Sequence, residues 1–250
     1  MRKRIAAAAL CLLMLLAGAC SAFAEGETGL EQFHVRHGSR ESKKIAITMD
    51  DVYEREWVWK AADLCREYGI RMTFFPIGIN LHEEDAENWR QLVADGFEIG
   101  SHSNRHESFH DIDRRIAIGR LGTFQETLDR VLGFHYEVRW FRPPFGNIVN
   151  EDGSYDAMRK LILAFGYEHV LLWDVSQTDP QLAIGKVRNG SVLLYHARHK
   201  DYACLEVLIP QLLEAGFEPV TVSELFGYPP PETGEELYVY NWEDYKDKVR

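Results

Sequence analysis

The sequence predicts an α/β fold, a distorted (β/α) barrel of about seven parallel strands forming a single domain. Three observations point there. Short strand-like runs alternate with helical segments through short links, as crossover helices on a parallel sheet require. Clusters of polar residues with chemical potential fall just after the strand-like runs, where the loops of a β/α barrel build a site. The 250-residue chain can bury a full core, yet it is short for comfortable eightfold repetition once its ends are set aside.

The elements follow in order. Arg2, Lys3 and Arg4 precede an apolar run from Ile5 to about Leu16 and an Ala22-Phe23-Ala24 site. This is the pattern of a secretory signal peptide over residues 1–24. The run falls short of the ~20 residues that a membrane span needs. Cys20 follows a loose lipoprotein-type box in which Leu16 stands one position too far away, so lipid anchoring there is the lesser reading. Residues 25–42 are polar without a period and read as a leader segment. Lys43–Met49 reads as a strand, Glu56–Tyr68 as a helix stopped by Gly69, Arg71–Ile77 as a strand and Glu83–Ala94 as a helix. A strand is expected at Phe97–Ser101, a helix at Ile116–Leu132, a strand at Val138–Phe141 and a helix at Tyr155–Phe165. Strands at His169–Trp173 and Ser191–Tyr195, a helix at Cys204–Ala215 and a strand at Glu218–Val222 complete the domain, taken as residues 43–226. The acidic, aromatic tail, residues 227–250, carries Pro229, Pro230 and Pro231 and is expected to pack loosely outside the barrel.

The net charge is −11, and residues 1–24 hold basic groups but no acidic ones, so the exported chain is more acidic still. That disfavours nucleic acid or an anionic membrane surface as partner and suits a neutral or cationic substrate. No glycine-rich phosphate loop follows any strand, so nucleotide binding has no support. No later stretch is apolar enough to span a bilayer. A soluble protein, secreted or associated with the cell wall, is expected. Cys65 and Cys204 are too few for a disulfide framework and read as a bridge or as two buried thiols.

The most informative feature is Asp50-Asp51 at a strand end, followed by His102-Ser103-Asn104-Arg105-His106. One carboxylate and two imidazoles suffice to hold Zn²⁺ or a first-row relative with a position left open. The other carboxylate is then left to move protons, which suggests hydrolysis. Arg142-Pro143-Pro144-Phe145-Gly146, Asp179 and His196 also follow predicted strands. Each piece alone has an ordinary reading as turn, cap, surface pair or core histidine. Their convergence on one rim is what carries weight.

Taken in order, these motifs resemble those of polysaccharide deacetylases of carbohydrate esterase family 4, the NodB-homology group, over roughly residues 43–226. Thr48-Met49-Asp50-Asp51-Val52 is similar to the family's first motif, with Val52 at its usual glycine. His102 to His106 is similar to the second, Arg142 to Gly146 to the third and Leu194-Tyr195-His196 to the fifth. The fourth departs: Ser176 stands where an aspartate is usual, Asp179 is kept, and Pro180 replaces a tryptophan. The resemblance implies Asp51, His102 and His106 as metal ligands and Asp50 as general base held by Arg142. It implies the Phe145 N–H as an oxyanion donor and Leu194 as a wall of the acetyl pocket. His196 would be the general acid, raised and oriented by Asp179. It further implies a divalent metal, Zn with Co, Mn or Ni as alternatives, and a polysaccharide or oligosaccharide substrate. The expected activity is removal of N-acetyl groups from amino sugars, in peptidoglycan first and chitin-like oligomers second. The alternatives are hydrolysis of another amide or acetyl ester on the same fold, or saccharide binding without turnover.

Overall fold

The computed structural model describes residues 33–148 and 155–247. The expected signal peptide and Cys20 lie outside the described residues, as do residues 25–32 of the leader. In chain order the elements are β1 (His34–Val35), β2 (Lys44–Asp51), α1 (Arg55–Glu67), β3 (Thr73–Pro76), α2 (Ala86–Ala94), β4 (Glu98–Ile99) and α3 (Arg114–Leu132). There follow β5 (His135–Tyr136), β6 (Trp140–Phe141), α4 (Tyr155–Ala164), β7 (His169–Leu171), α5 (Pro180–Ile184) and β8 (Val192–His196). The last are α6 (His199–Glu214), β9 (Glu218–Val220), α7 (Val222–Phe226) and β10 (Thr233–Gly234).

The strands build an α/β fold on two parallel sheets. One is ordered β4-β3-β2-β8, with β9 also paired to β2; the other is β1-β7-β6. Single parallel bridges, Ser101 to Phe141 and Val175 to Leu193, connect the edges of the two. Among the described residues no continuous ladder closes the expected seven-strand barrel. β2 is the central strand, and Ile45 to Asp51 along it are all buried. A parallel strand covered on both faces has no solvent side, so its sequence is a near-continuous apolar run rather than an alternating one. In register, Asp50 stands opposite His196 on β8 and Phe75 on β3. The strand C-termini therefore gather the polar motifs at one end of the sheet.

Helices cover the sheet through one apolar face each. In α1 the buried residues are Val58, Ala61, Ala62, Leu64 and Cys65, the spacing of a helical stripe. In α3 the start is set by Asp113, whose side chain accepts the Ile116 N–H, and the end by Gly133 at φ 76. Cys65 and Cys204 are free buried thiols, and burial pushes Cys65 up to about 12.

The tail differs from the expectation of loose packing. β10 pairs antiparallel with β5, the Tyr238 N–H donates to Asp129 Oδ2 at 2.8 Å, and Tyr245 stacks on Phe165 at 4.1 Å. A Cβ at Gly122 would overlap the Tyr240 ring, so a glycine in α3 is what lets the tail lie against that helix. Within the expected leader, Phe33 is buried and β1 pairs with β7.

Candidate active site and metal centre

Asp50 and Asp51 end β2 with 2% and 4% exposure. Along a strand, neighbours point to opposite faces. The chain departs from that here, because Asp51 and Val52 adopt φ 74 and 65, left-handed values that are rare for residues other than glycine. The bend is held by the Asp51 carbonyl, which accepts Ile77 N–H at 3.2 Å and Asn80 Nδ2 at 2.9 Å. It brings Asp51 Oδ1 to 3.4 Å from His102 Nε2 and 3.5 Å from His106 Nε2.

The two histidines sit on a loop, not a helix. The loop is fixed between neighbouring strands: His102 N–H donates to the Pro76 carbonyl at 3.2 Å, and Ser101 exchanges backbone bonds with Trp140 and Arg142 at 2.8 Å each. His102 Nδ1 lies 2.7 Å from the Arg142 carbonyl. That acceptor requires the proton on Nδ1 and leaves the Nε2 lone pair facing Asp51, the arrangement by which a histidine ligand is oriented. Burial, then the His102 charge, pushes His106 below its ordinary value, so its imidazole is neutral near neutral pH. Burial pushes Asp51 up, but the neighbouring His102 ring and, after it, His196 and His106 outweigh it, and the carboxyl lies below the usual range.

Asp51 Oδ1 is buried and has no hydrogen-bond partner, although buried carboxylate oxygens are nearly always paired. An orphaned anionic oxygen facing two imidazole nitrogens is what a divalent cation would satisfy. Among the described residues, Asp51, His102 and His106 form a group whose ligand atoms all lie within 4.8 Å of one another. The donor set, one oxygen and two nitrogens, suits Zn²⁺ and similar ions with positions left open.

Asp50 is outside that group. Its Oδ1 accepts from Arg142 Nη1 at 2.6 Å. The fully buried Arg142 also donates to Thr48 Oγ1 at 2.8 Å and to the Leu171 carbonyl at 3.1 Å, and its guanidinium lies 4.3 Å from the Phe75 ring centroid. A charge-assisted bond of this kind fixes the direction of a buried carboxylate. Phe145, 66% exposed at φ 61, packs its ring edge-on to His106 at 4.5 Å. Leu194 and His196 alternate with Tyr195 along β8, so both face the same side of that strand.

The family model for polysaccharide deacetylase matches residues 37–170, which contain this loop and strand set up to β7. The chain belongs to the polysaccharide deacetylase family. It is 29% identical over 208 residues to a peptidoglycan-N-acetylglucosamine deacetylase of Bacillus cereus, covering 74% of this chain and 89% of the relative. It is 24% identical over 200 residues to the uncharacterized protein YlxY of Bacillus subtilis, 75% of this chain, and spans 59% of that protein's length. Among solved structures, a peptidoglycan N-acetylglucosamine deacetylase in complex with a hydroxamate-type benzamide superposes with TM-score 0.69 at 22% identity, covering 79% of this chain and 94% of that one. A pseudoenzyme of carbohydrate esterase family 4 from Bacillus anthracis gives 0.67 at 20%, covering 77% and 68%. At these identities the structures show a shared polysaccharide deacetylase fold.

One residue of the expected set stands apart. Asp179, expected beside His196, is the N-cap of α5 and accepts the N–H groups of Gln181 at 2.9 Å and Leu182 at 3.0 Å. The physical reason is local: Pro180 starts a helix directly after it, and a carboxylate at that position is drawn to the unpaired amides. The carboxylate beside His196 is Asp201, with Oδ1 3.7 Å from Nδ1. The Asp201 contact, opposed by burial and helped by the charges of Asp50 and Asp51, raises His196 above its ordinary value. Other groups absent from the sequence reading are Asn80, which had no signal of its own, and Arg198. The Arg198 guanidinium lies 3.6 Å from Asp51 Oδ2 with its side chain 55% exposed. Trp57 on α1 packs against the rings of His199 and Tyr202, with centroids 5.0 and 5.4 Å away.

Proposed function

We propose that this chain is an exported, metal-dependent deacetylase that hydrolyses the N-acetyl group of amino sugars in a polysaccharide, with peptidoglycan as first candidate and chitin-like oligomers as second. The observation that carries this reading is the orphaned Asp51 Oδ1 between His102 and His106, set beside a separately held carboxylate and a raised histidine. Asp51, His102 and His106 would hold the ion, Zn²⁺ with Co, Mn or Ni as alternatives. A divalent cation there supplies carbonyl polarisation and a lowered pKa for water. Asp50, aimed by Arg142, takes the proton of the attacking water as general base. The water oxygen forms the new bond to the acetyl carbon, and the Phe145 N–H donates to the developing oxyanion. His196 gives its proton to the amine as the carbon–nitrogen bond breaks, leaving acetate and a free amino sugar. Leu194, on the same face of β8 as His196, lines the space for the acetyl methyl group. A base and an acid in register on the neighbouring strands β2 and β8 serve turnover; saccharide binding alone needs neither.

Purified chain supplied with Zn²⁺ or Co²⁺ is expected to release acetate from N-acetylglucosamine oligomers or peptidoglycan, read by mass spectrometry of the fragments. Asp50→Ala should abolish release while the protein still binds metal. Equal activity in Asp50→Ala, or activity indifferent to chelation, would sink the mechanism. Sugar binding without acetate release from any of these polymers would favour the non-catalytic alternative, and release only from acetyl esters the ester-hydrolysing one.

A further inference from the structure

We infer that Asp201, in the first turn of α6, is the positioning residue that holds His196 for proton donation, replacing the carboxylate that the fourth motif would supply from the loop after β7. The inference rests on the deacetylase reading for its catalytic meaning, and on geometry for the pairing itself.

Four positions bear on that place, and the structure separates them. On the loop after β7, position 176 is serine and has no charge to offer. Asp179 has its Oδ1 committed to two amides of α5. Asp174 is held elsewhere: Oδ2 accepts from Arg40 at 2.8 Å and Ser191 Oγ at 3.0 Å, and Oδ1 accepts the Val192 N–H at 2.8 Å. Asp201, 5% exposed, accepts the His196 backbone N–H at 2.8 Å through the same Oδ1 that faces His196 Nδ1 at 3.7 Å.

The backbone bond fixes where the carboxylate sits relative to the ring, and the side-chain separation is that of an ion pair rather than a hydrogen bond. With Nδ1 turned to Asp201, Nε2 is the nitrogen left to donate. The first turn of a helix favours negative charge, which suits a carboxylate at this position. The other charged groups bearing on His196 are Asp50 and Asp51 on β2, His106 on the facing loop and Arg198 on its own segment. Of these, Asp50 and Asp51 act on His196 through charge, and the ion pair to its Nδ1 is the one with Asp201.

Asp201→Asn keeps an oxygen for the His196 N–H and removes only the charge. It is compared with Asp179→Asn, His196→Ala and Asp201→Glu on two substrates: an N-acetylglucosamine oligomer, whose amine must be protonated to leave, and 4-nitrophenyl acetate, whose phenolate leaves without a proton. General acid catalysis contributes about 100-fold or more. Asp201→Asn is therefore expected to lower kcat on the oligomer by about 10-fold or more at nearly unchanged KM, while its rate on the aryl ester stays within about threefold of the parent. Asp201→Glu should recover part of the loss, and Asp179→Asn should match the parent on both substrates.

A second readout needs no turnover: in metal-chelated protein, the His196 ring titration followed by NMR should move down in Asp201→Asn and not in Asp179→Asn. Equal loss on both substrates, an undiminished oligomer kcat, or a His196 titration that moves with Asp179 instead would overturn the assignment. If the parent chain releases no acetate, the deacetylase reading falls while the titration still decides whether Asp201 is the partner of His196.

Discussion

The Arg142–Asp50 pair is the place where one substitution should unsettle fold and site together. Arg142 is fully buried and Asp50 is 2% exposed, with 2.6 Å between them. Replacing Arg142 by methionine keeps much of the stem and removes the charge. Asp50 then loses its cation in a nearly buried setting, and breaking a buried pair in this way costs about 3–5 kcal/mol. For a protein of this size each kcal/mol moves the melting temperature by about 2–4 °C, so a drop of about 6–20 °C is expected. Asp50→Asn should cost less, about 1.5–3 kcal/mol, because Arg142 keeps Thr48 Oγ1 and the Leu171 carbonyl as acceptors. The double variant should be more stable than the sum of the single losses by at least about 1 kcal/mol, since each single change strands the other partner. Denaturant and thermal melts in chelator, with all four proteins at one pH, measure the cycle. Additivity within about 0.5 kcal/mol, or an Arg142→Met melt within about 2 °C of the parent, would refute the claim that Arg142 and Asp50 form a coupled buried pair.

Three further outcomes are expected. Zn²⁺ or Co²⁺ at about 100 times its dissociation constant should stabilise the chain by about 2.7 kcal/mol, and Asp51→Asn or His106→Ala should abolish that shift in melting temperature; a full shift in Asp51→Asn would place the ion elsewhere. In chelator, His196, held above its ordinary value, contributes stability that is fully present below about pH 6.5 and lost as pH rises through its raised folded value; the parent should therefore lose more melting temperature than His196→Gln over that rise, and equal slopes would contradict it. Gly122→Ala places a methyl where the Tyr240 ring lies, and should cost about 1–3 kcal/mol and speed proteolysis of the tail beyond Tyr228; an unchanged digestion pattern would mean that the tail is not held on α3.

Much of the site was legible because its chemistry is written in residue types at strand ends. Asp51, His102 and His106 do come together, and Arg142 does reach Asp50 across 92 residues of sequence. Asp201 was not legible for a definite reason. It sits in a stretch, His199-Lys200-Asp201, too polar to suggest a helix start, and α6 begins five residues before the expected Cys204. The burial of Asp201 follows from the His196 N–H it accepts, a contact that periodicity cannot express. The tail was misjudged on similar grounds: its acidic composition suggests solvent, whereas Tyr238, Tyr240 and Trp242 pack against the core. Short strands such as β1, β5 and β10, two residues each, carry no alternation to detect.

Backbone strain explains why the departure at Val52 is tolerable. The non-glycine residues with left-handed φ among those described are Asp51, Val52, Ser103 and Phe145, and all four border the candidate metal centre. Such conformations cost about 1–3 kcal/mol each and persist only where the surroundings over-determine them. Here they do. The Asp51 carbonyl takes two donors, the Ser103 carbonyl accepts the Gly78 N–H at 2.9 Å while its own N–H meets Ser101 Oγ at 3.2 Å, and the Val52 side chain is 1% exposed. A glycine at 52 would relax the turn but give up a buried valine, worth about 1.5–3 kcal/mol, so the two terms are of similar size and the bend survives either residue. What the bend fixes is the direction of Asp51 Oδ1. A cation arriving there meets ligands already converged, and the ordering that a loose loop would have to undergo on binding is done when the chain folds.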